Sequence, residues 1–276
     1  VARIGCCRMS SILFRGNERI DTLSPQDRGL AYGDGLFETL LAVDGQLPWW
    51  PAHWRRLAQG AQRLAIDLPD EDTIHRAAVS LAEAQPVVLK IILTRGESGR
   101  GYVSGDGPAT CIVSAHPKPP TLPQPLSLHW CNIWASDQPA LAGIKHLNRL
   151  ENVLARRECD LAGHPEGLMC DREGRVICAT SANVFVHADG LWQTPDVSSC
   201  GIAGITRGWI IAHAGDVRVG TVTRCMVENA DAVFLCNAVR GIMPVAGIGG
   251  RRFVRSTALD GMQAFFLAAN PFFGNT

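Results

Sequence analysis

The chain has 276 residues, of which 46% are hydrophobic and 19% are charged, so it is long enough to bury one large core or two smaller ones. Its 26 basic residues match its 26 acidic residues, which excludes binding of nucleic acid or an anionic membrane through bulk charge. Apolar runs fall far short of the roughly 20 residues of a membrane-spanning helix, and no secretory signal is present, so we expect a cytoplasmic protein.

Patterning in the first part of the chain predicts a small sheet and two helices. Residues 9–14 read as a natural beginning, and we therefore expect residues 1–8 to be an upstream extension without function. Short apolar runs end at the turn signals Gly16-Asn17 and Asp44-Gly45, which favours hairpins. Apolar residues at helical spacing favour helices. The predicted strands are residues 12–14, 36–43, 87–94 and 109–115, and the predicted helices are residues 51–66 and 72–84.

A proline-rich segment divides the chain into two predicted domains. Residues 116–125 hold five of the 16 prolines and can join neither a helix nor a central strand. We therefore predict a small N-terminal α/β domain over residues 9–116 and a linker over residues 117–125. A larger, barrel-like domain over residues 126–276 is predicted to carry Lys145.

The second domain is predicted to mix short strands with helices, which is typical of an α+β or α/β fold. In the helix over residues 148–161, the spacing places Leu150, Val153, Leu154 and Arg157 on one face. The predicted strands are residues 126–134, 166–170, 175–186, 191–194, 218–222, 232–236 and 243–248, and the predicted helices are residues 148–161, 206–213 and 256–269.

Several common catalytic signatures are absent from the sequence. It contains no P-loop, no H-E-x-x-H zinc motif, no G-x-S-x-G hydrolase motif and no dinucleotide-binding fingerprint that opens a helix. The ten cysteines include no C-x-x-C pair, so we predict reduced, buried thiols and no metal site.

One lysine and two anion-binding segments are the candidates for chemistry. Lys145 is one of only three lysines and follows the apolar Gly143-Ile144, which suits a shielded amine that forms an imine with a carbonyl group. A glycine turn over residues 201–207 opens a helix whose N–H groups and Thr206 hydroxyl suit a phosphate. Arg56, one turn after His53, can also reach an anion. The residues alone leave open an ordinary surface lysine, a plain loop-to-helix junction and a solvated arginine.

Six segments in this order resemble the fold-type IV family of pyridoxal phosphate enzymes over nearly the whole chain. Within that family, the Lys145 segment, Arg100-Gly101-Tyr102 and Cys236-Asn237 are most similar to bacterial aminodeoxychorismate lyases, whereas D-amino acid and branched-chain aminotransferases match less well. The six segments are residues 24–39, 53–57, 93–102, 141–151, 180–185 and 201–207.

The resemblance implies a two-domain fold, a homodimer and an active site between the two domains. It implies a lyase that converts 4-amino-4-deoxychorismate to 4-aminobenzoate and pyruvate in folate biosynthesis, with pyridoxal 5'-phosphate as cofactor. An aminotransferase on the same fold is the first alternative. A cofactor-binding protein with weak activity is the second.

The resemblance also implies roles for individual residues. Lys145 would hold the cofactor through an imine and act as acid and base, and Thr39 would be a second catalytic residue. The remaining implied ligands are Arg56, Ile205 and Thr206 for the cofactor phosphate, with Asn237 assisting, and Tyr32, Arg100 and Tyr102 for the substrate.

One position departs from the family pattern. Five residues before Asn183, where the family has a glutamate that pairs with the pyridine nitrogen of the cofactor, this chain has Cys178. A neutral thiol cannot keep that nitrogen protonated as a carboxylate does. Cys178 therefore predicts weaker stabilisation of negative charge on the substrate, and nothing in the sequence indicates that Glu173 replaces the glutamate.

Overall fold

A computed structural model describes residues 11–82 and 86–274, and the chain divides into two units. The first unit ends at Pro120 and also includes Lys145–Asn148, whereas the second comprises Thr121–Ile144 and the chain from Arg149 onward. The predicted extension over residues 1–8 and the end of the predicted helix over residues 72–84 lie outside the described residues. Within the described ranges, every helix is too short or too polar to cross a membrane.

The first unit is an antiparallel sheet with three helices. Its strands are β1 (Ser11–Arg15), β2 (Glu18–Ile20), β3 (Gly35–Ala42), β4 (Val87–Thr94) and β5 (Thr110–Pro117), and its helices are α1 (Arg28–Tyr32), α2 (Trp50–Leu64) and α3 (Glu71–Leu81). The strand order in the described part of this unit is β2-β1-β5-β4-β3, so β3 lies at one edge. The two longer helices and strands β1, β3, β4 and β5 confirm the sequence-based predictions, whereas β2 and α1 were not predicted.

Residues 145–147 extend the edge of this sheet. The Phe37 N–H donates to the Lys145 carbonyl and the Leu147 N–H donates to the Gly35 carbonyl, each at 2.9 Å. Gly35 permits this approach, because a Cβ atom there would lie 2.8 Å from Leu147 Cδ1. These backbone bonds assign Lys145 to the first unit, although the sequence-based division placed residues 126–276 in one domain. Long-range strand pairing of this kind has no signal in local sequence.

The second unit is built on a mixed sheet. Its strands are β6 (Leu126–Trp130), β7 (Glu166–Cys170), β8 (Arg175–Ala179), β9 (Asn183–Ala188), β10 (Leu191–Pro195), β11 (Val217–Gly220), β12 (Val222–Thr223), β13 (Ala232–Asn237), β14 (Gly241–Ile248) and β15 (Arg251–Arg252), and its helices are α4 (Leu150–Leu161), α5 (Ile205–His213), α6 (Arg224–Glu228) and α7 (Thr257–Ala269), followed by a 3-10 turn at Pro271–Phe273. The order is β11-β10-β9-β13-β14-β6-β7-β8-β12, with β15 on β14. The α+β class is therefore confirmed.

One expectation for the second unit is wrong in detail. The run predicted as one strand over residues 175–186 is two strands, β8 and β9, joined by residues 180–182. On α4, the predicted face is exposed at Leu150 and Val153, and the opposite face is buried at Ala155 and Cys159. Ala155 and Cys159 pack with Cys131 and Met169, so these small side chains form the core-facing side of α4.

Candidate active site

Lys145 lies against an aromatic ring on the edge strand of the first unit. Its Nζ is 4.2 Å from the centroid of the Phe37 ring, and Lys90 Nζ is 5.3 Å from the same centroid. Both distances fall in the range of cation–π contacts. The ring therefore shields the Lys145 amine on one side, and sequence reasoning missed Lys90 as its neighbour.

Strand alternation separates two kinds of side chain on β3. Phe37 and Thr39 point to one face, whereas Glu38 points to the other, where it is buried. Thr39 stands opposite Lys90 in the β3–β4 register. The structure thus places the predicted catalytic Thr39 two residues from the ring that Lys145 contacts.

Glu38, His53 and Arg56 form a buried charge cluster, called here the Glu38 cluster. Arg56 donates from Nε to Glu38 Oε1 at 2.7 Å and from Nη2 to Oε2 at 2.5 Å. His53 Nδ1 lies 2.7 Å from Glu38 Oε2. The Glu38 side chain is only 1% exposed. Arg56 is therefore fixed in a bidentate pair, which excludes the alternative of a solvated surface arginine.

Burial and charge act in opposite directions on this cluster. Burial alone would raise the pKa of Glu38, but the Arg56 charge and the hydrogen bonds from Arg56 and His53 outweigh it and lower the pKa to about 2. Burial lowers the pKa of His53 despite its bond to Glu38, and the charges of Arg56 and Lys145 lower it further. Glu38 therefore stays ionised at neutral pH and balances the charge of Arg56 inside the first unit.

The predicted substrate residues lie on or against one exposed loop. Tyr102 is 89% exposed, and its ring centroid lies 5.6 Å from that of Tyr32. The Tyr32 hydroxyl accepts the Gly101 N–H at 3.0 Å. Arg100 is exposed on the same loop. The structure therefore places Arg100 and Tyr102 on one exposed loop with Tyr32 against it, and their roles toward a substrate stay predictions.

In the second unit, the N-terminus of α5 offers donors for an anion. Its N-cap is Gly204, which supplies no side chain, and the first N–H groups of a helix have no intrahelical acceptor. Thr206 is 1% exposed, and its hydroxyl has no hydrogen-bond partner among the described residues. A Cβ at Gly204 would lie 1.9 Å from Asn183 Oδ1, so only glycine leaves room here. These features fit a phosphate group.

Asn237 shapes a turn of the second unit. Its Oδ1 accepts the N–H groups of Val239 at 3.0 Å and Arg240 at 2.8 Å. Its Nδ2 donates to the Ser181 carbonyl at 3.3 Å. Both ends of the side-chain amide are thus engaged by the chain itself, so assistance to a phosphate would come through the shape of the turn.

Cys178 lies on β8 opposite Met169 and presents a neutral thiol. Burial raises its pKa to about 12, and the nearby Arg149 charge lowers it only in part. Glu173 does not replace the missing carboxylate, because its side chain is 60% exposed and bonded to Arg175 at 3.2 Å. Glu166, which sequence reasoning missed, is buried, and it accepts bonds from the Thr180 and Ser181 hydroxyls.

Comparison with known proteins identifies the family. The model for amino-transferase class IV matches residues 35–248. An aminodeoxychorismate lyase of Vibrio harveyi is 34% identical over 80% of this chain and 86% of its own. The chain belongs to the amino-transferase class IV family. Enzymes of this family use pyridoxal phosphate, and the chain is a fold-type IV pyridoxal phosphate enzyme.

Both lyases and aminotransferases occur among the relatives of this family member. The crystal structure of 4-amino-4-deoxychorismate lyase from Pseudomonas aeruginosa superposes with a TM-score of 0.87 at 36% identity, covering 94% of this chain and 98% of that one. A D-alanine aminotransferase of Bacillus licheniformis is 28% identical over 87% of this chain and 89% of its own. The predicted fold-type IV architecture is therefore confirmed.

Each unit, taken by itself, has residues whose chemistry fits a part of pyridoxal phosphate. The unpartnered Thr206 hydroxyl and the glycine at Gly204 suit its phosphate, and the shielded Lys145 amine suits its aldehyde. Cys178 is the exception, because its neutral thiol supplies no charge to a protonated ring nitrogen.

Proposed function

We propose that the protein is an aminodeoxychorismate lyase that converts 4-amino-4-deoxychorismate to 4-aminobenzoate and pyruvate. The observation that carries the proposal is the identity of 34% and 36% to two lyases over most of the chain. The D-alanine aminotransferase relative is less similar, at 28%. We also propose that the protein acts in the cytoplasm.

The proposed roles follow from the chemistry of the side chains. Pyridoxal phosphate, when bound, supplies a conjugated ring that takes up the electron pair left on the substrate carbon. Lys145 would hold the aldehyde carbon and accept the proton from the amine-bearing carbon of the substrate through Nζ. Arg56, fixed by Glu38, and the α5 N–H groups with Thr206 would hold the phosphate.

Substrate recognition is assigned to the exposed loop of the first unit. The planar guanidinium of Arg100 suits bidentate binding of a carboxylate, and Tyr102 can donate a further hydrogen bond. Aminodeoxychorismate carries two carboxylates, so a cationic side chain on this loop would orient it. Thr39 offers a hydroxyl near Phe37 as a further polar contact. Loss of the enolpyruvyl group and aromatisation of the product would make the reaction effectively irreversible.

Product analysis tests the proposal. The protein is loaded with pyridoxal phosphate and supplied with aminodeoxychorismate, and 4-aminobenzoate and pyruvate are quantified in equal amounts if the proposal is correct. D-Alanine or leucine with 2-oxoglutarate tests the aminotransferase alternative. Amino transfer without 4-aminobenzoate would contradict the lyase assignment, and cofactor binding without either reaction would favour a weakly active binding protein.

We propose that the enzyme acts as a homodimer, as the family resemblance implies. The apolar side chains exposed on α4, among them Leu150 and Val153, are compatible with an interface. Sedimentation of the loaded enzyme is expected to give twice the mass of the chain. A monomeric mass with full activity would contradict the dimer.

Thr206→Val is expected to weaken retention of pyridoxal phosphate. The hydroxyl is buried at the N-terminus of α5, and valine keeps its volume while removing the donor. A charge-assisted hydrogen bond contributes about 1.5–3 kcal/mol, so the Kd should rise roughly ten- to a hundredfold. Absorbance titration measures the Kd, and Thr257→Val, exposed at the start of α7, is the matched control. An unchanged Kd would exclude Thr206 as a phosphate ligand.

Cys178→Glu is expected to raise lyase activity modestly and any aminotransferase side activity by a larger factor. A carboxylate facing the ring nitrogen would add a charge-assisted bond of about 1.5–3 kcal/mol, worth roughly one to two orders of magnitude in rate. The lyase rate is expected to increase less, because departure of the enolpyruvyl group already removes the negative charge from the substrate carbon. Rates of both reactions are compared with those of Cys178→Gln, and unchanged or lower rates with glutamate would show that another group already serves the nitrogen.

A further inference from the structure

The short helix α1 makes hydrogen bonds to the loop over residues 96–108, which carries Arg100 and Tyr102. Asp27 caps this helix by accepting the Gly29 N–H at 2.8 Å, and it also accepts the Thr94 hydroxyl at 2.8 Å. The Arg28 N–H donates to the Gly96 carbonyl at 2.9 Å. The backbone of Arg28 is therefore fixed beside the first residue of the loop.

The Arg28 guanidinium donates hydrogen bonds to several backbone carbonyls of the loop. It is buried, with 4% of the residue exposed. Its Nη1 donates to the Gly101 carbonyl at 2.9 Å, the Val103 carbonyl at 3.3 Å and the Ser98 hydroxyl at 3.0 Å. Its Nη2 lies 3.4 Å from the Tyr102 carbonyl. Three consecutive carbonyls thus converge on one side chain.

Arg28 shares an acidic partner, Asp34, with Arg95 in the first unit. Its Nε donates to Asp34 Oδ2 at 2.8 Å, and Arg95 donates to the same oxygen at 2.8 Å. Burial would raise the pKa of Asp34, but its bonds to Arg95 and Arg28 outweigh that effect and lower the pKa. Because Asp34 and the loop carbonyls occupy the donors of Arg28, Arg28 acts on the loop rather than on a ligand.

The loop has little packing of its own. Residues 99–108 are exposed, so their side chains bury little apolar surface. Besides the Tyr32 contacts described above, the hydrogen bonds that α1 makes to residues 98–103 in the described part of the chain come from Arg28. An exposed loop without apolar packing is ordered mainly by such hydrogen bonds.

We propose that Arg28 is a positioning residue that holds residues 98–103 in the conformation in which Arg100 and Tyr102 meet the substrate. The proposal rests on the proposed function, because that function assigns the loop to a carboxylate-bearing substrate. A loop that is ordered beforehand spares the binding step the entropy of ordering it. Arg28 thereby lowers KM without touching the substrate.

Arg28→Lys tests the proposal with two independent measurements. Lysine keeps the charge beside Asp34, but its compact ammonium cannot span three carbonyls and a carboxylate as the planar fork does. We expect an arginine-specific protease to cleave the loaded enzyme after Arg100 about tenfold faster, as mass spectrometry of the fragments shows. KM is expected to rise about tenfold with kcat within about threefold, the equivalent of one lost charge-assisted bond.

Matched variants separate loop anchoring from general damage. Arg19→Lys, on the exposed strand β2, should leave cleavage at Arg100 and KM unchanged. Ser98→Ala removes one Arg28 contact without altering the arginine, and it should change both quantities in the same direction by a smaller factor. It also provides the test if Arg28→Lys fails to fold. Cofactor affinity should be the same in all three variants.

The outcomes distinguish this proposal from the proposed function. Unchanged cleavage after Arg100 in the Arg28 and Ser98 variants would overturn the anchoring. Faster cleavage with an unchanged KM would overturn the positioning role. If the wild type transfers amino groups instead of releasing 4-aminobenzoate, the proposed function fails, and KM for the amino acid then becomes the second measurement for Arg28.

Discussion

Lys145→Ala is expected to abolish both the covalent attachment of pyridoxal phosphate and turnover. The wild type should be yellow, because an imine to a conjugated aldehyde absorbs visible light, and borohydride should fix the cofactor to the peptide that contains Lys145. Loss of a positioned acid and base alone costs about 10²–10⁴-fold in rate. Absorbance, peptide mapping after reduction and product formation measure the three effects.

Lys90→Ala is the matched control for this experiment. Lys90 Nζ lies 5.3 Å from the ring that Lys145 contacts, so it is the competing amine on the same surface. Its removal should leave the label on Lys145 and retain most of the activity. Label on Lys90 or Lys118, or a colourless wild type after incubation with the cofactor, would contradict the assignment of Lys145.

Glu38→Gln is expected to destabilise the protein by about 3–5 kcal/mol, the usual cost of leaving one member of a buried ion pair uncompensated. Arg56→Ala should cost a similar amount, because it strands the Glu38 carboxylate, which is 1% exposed. The double variant Glu38→Gln with Arg56→Met should recover part of the loss. Urea unfolding measures each variant.

Arg55→Ala, one residue from Arg56 but exposed, is the control for the Glu38 cluster and should unfold like the wild type. Cofactor affinity in the same set shows whether the cluster also orients Arg56 toward the phosphate. A Glu38→Gln variant as stable as the wild type would show that the pair adds nothing to the fold.

The same cluster predicts a pH dependence. The pKa of Glu38 is lowered from 4.5 to about 2 in the folded protein. The carboxylate therefore stabilises the folded state at pH values above the pKa that Glu38 has in the unfolded chain. That contribution is present above roughly pH 4.5 and is lost as the pH falls toward 2, by about 3 kcal/mol in all. Glu38→Gln should lack this component. Unfolding free energies measured across that pH window test the sign.

Several helices, strands and candidate site residues of this protein could be predicted from its sequence, because they depend on local chemistry. Helices α2, α3 and α5 and strands β4 and β7 follow from apolar periodicity, capping residues and turn residues, which act within a few positions of each other. Lys145, the glycine turn before Thr206 and the change to Cys178 were evident because residue identity alone carries their chemistry. These features needed no knowledge of neighbours distant in the chain.

Tertiary structure decided which of these residues act together. Pairing of residues 145–147 with the edge of β3 placed Lys145 on Phe37, and the packing of α2 on β3 gave Arg56 its partner Glu38. Arg28 became an anchor only because Ser98 and the carbonyls around Tyr102 fold back onto it. Such contacts join residues far apart in sequence, and their energies depend on register, burial and charge pairing, which periodicity does not encode.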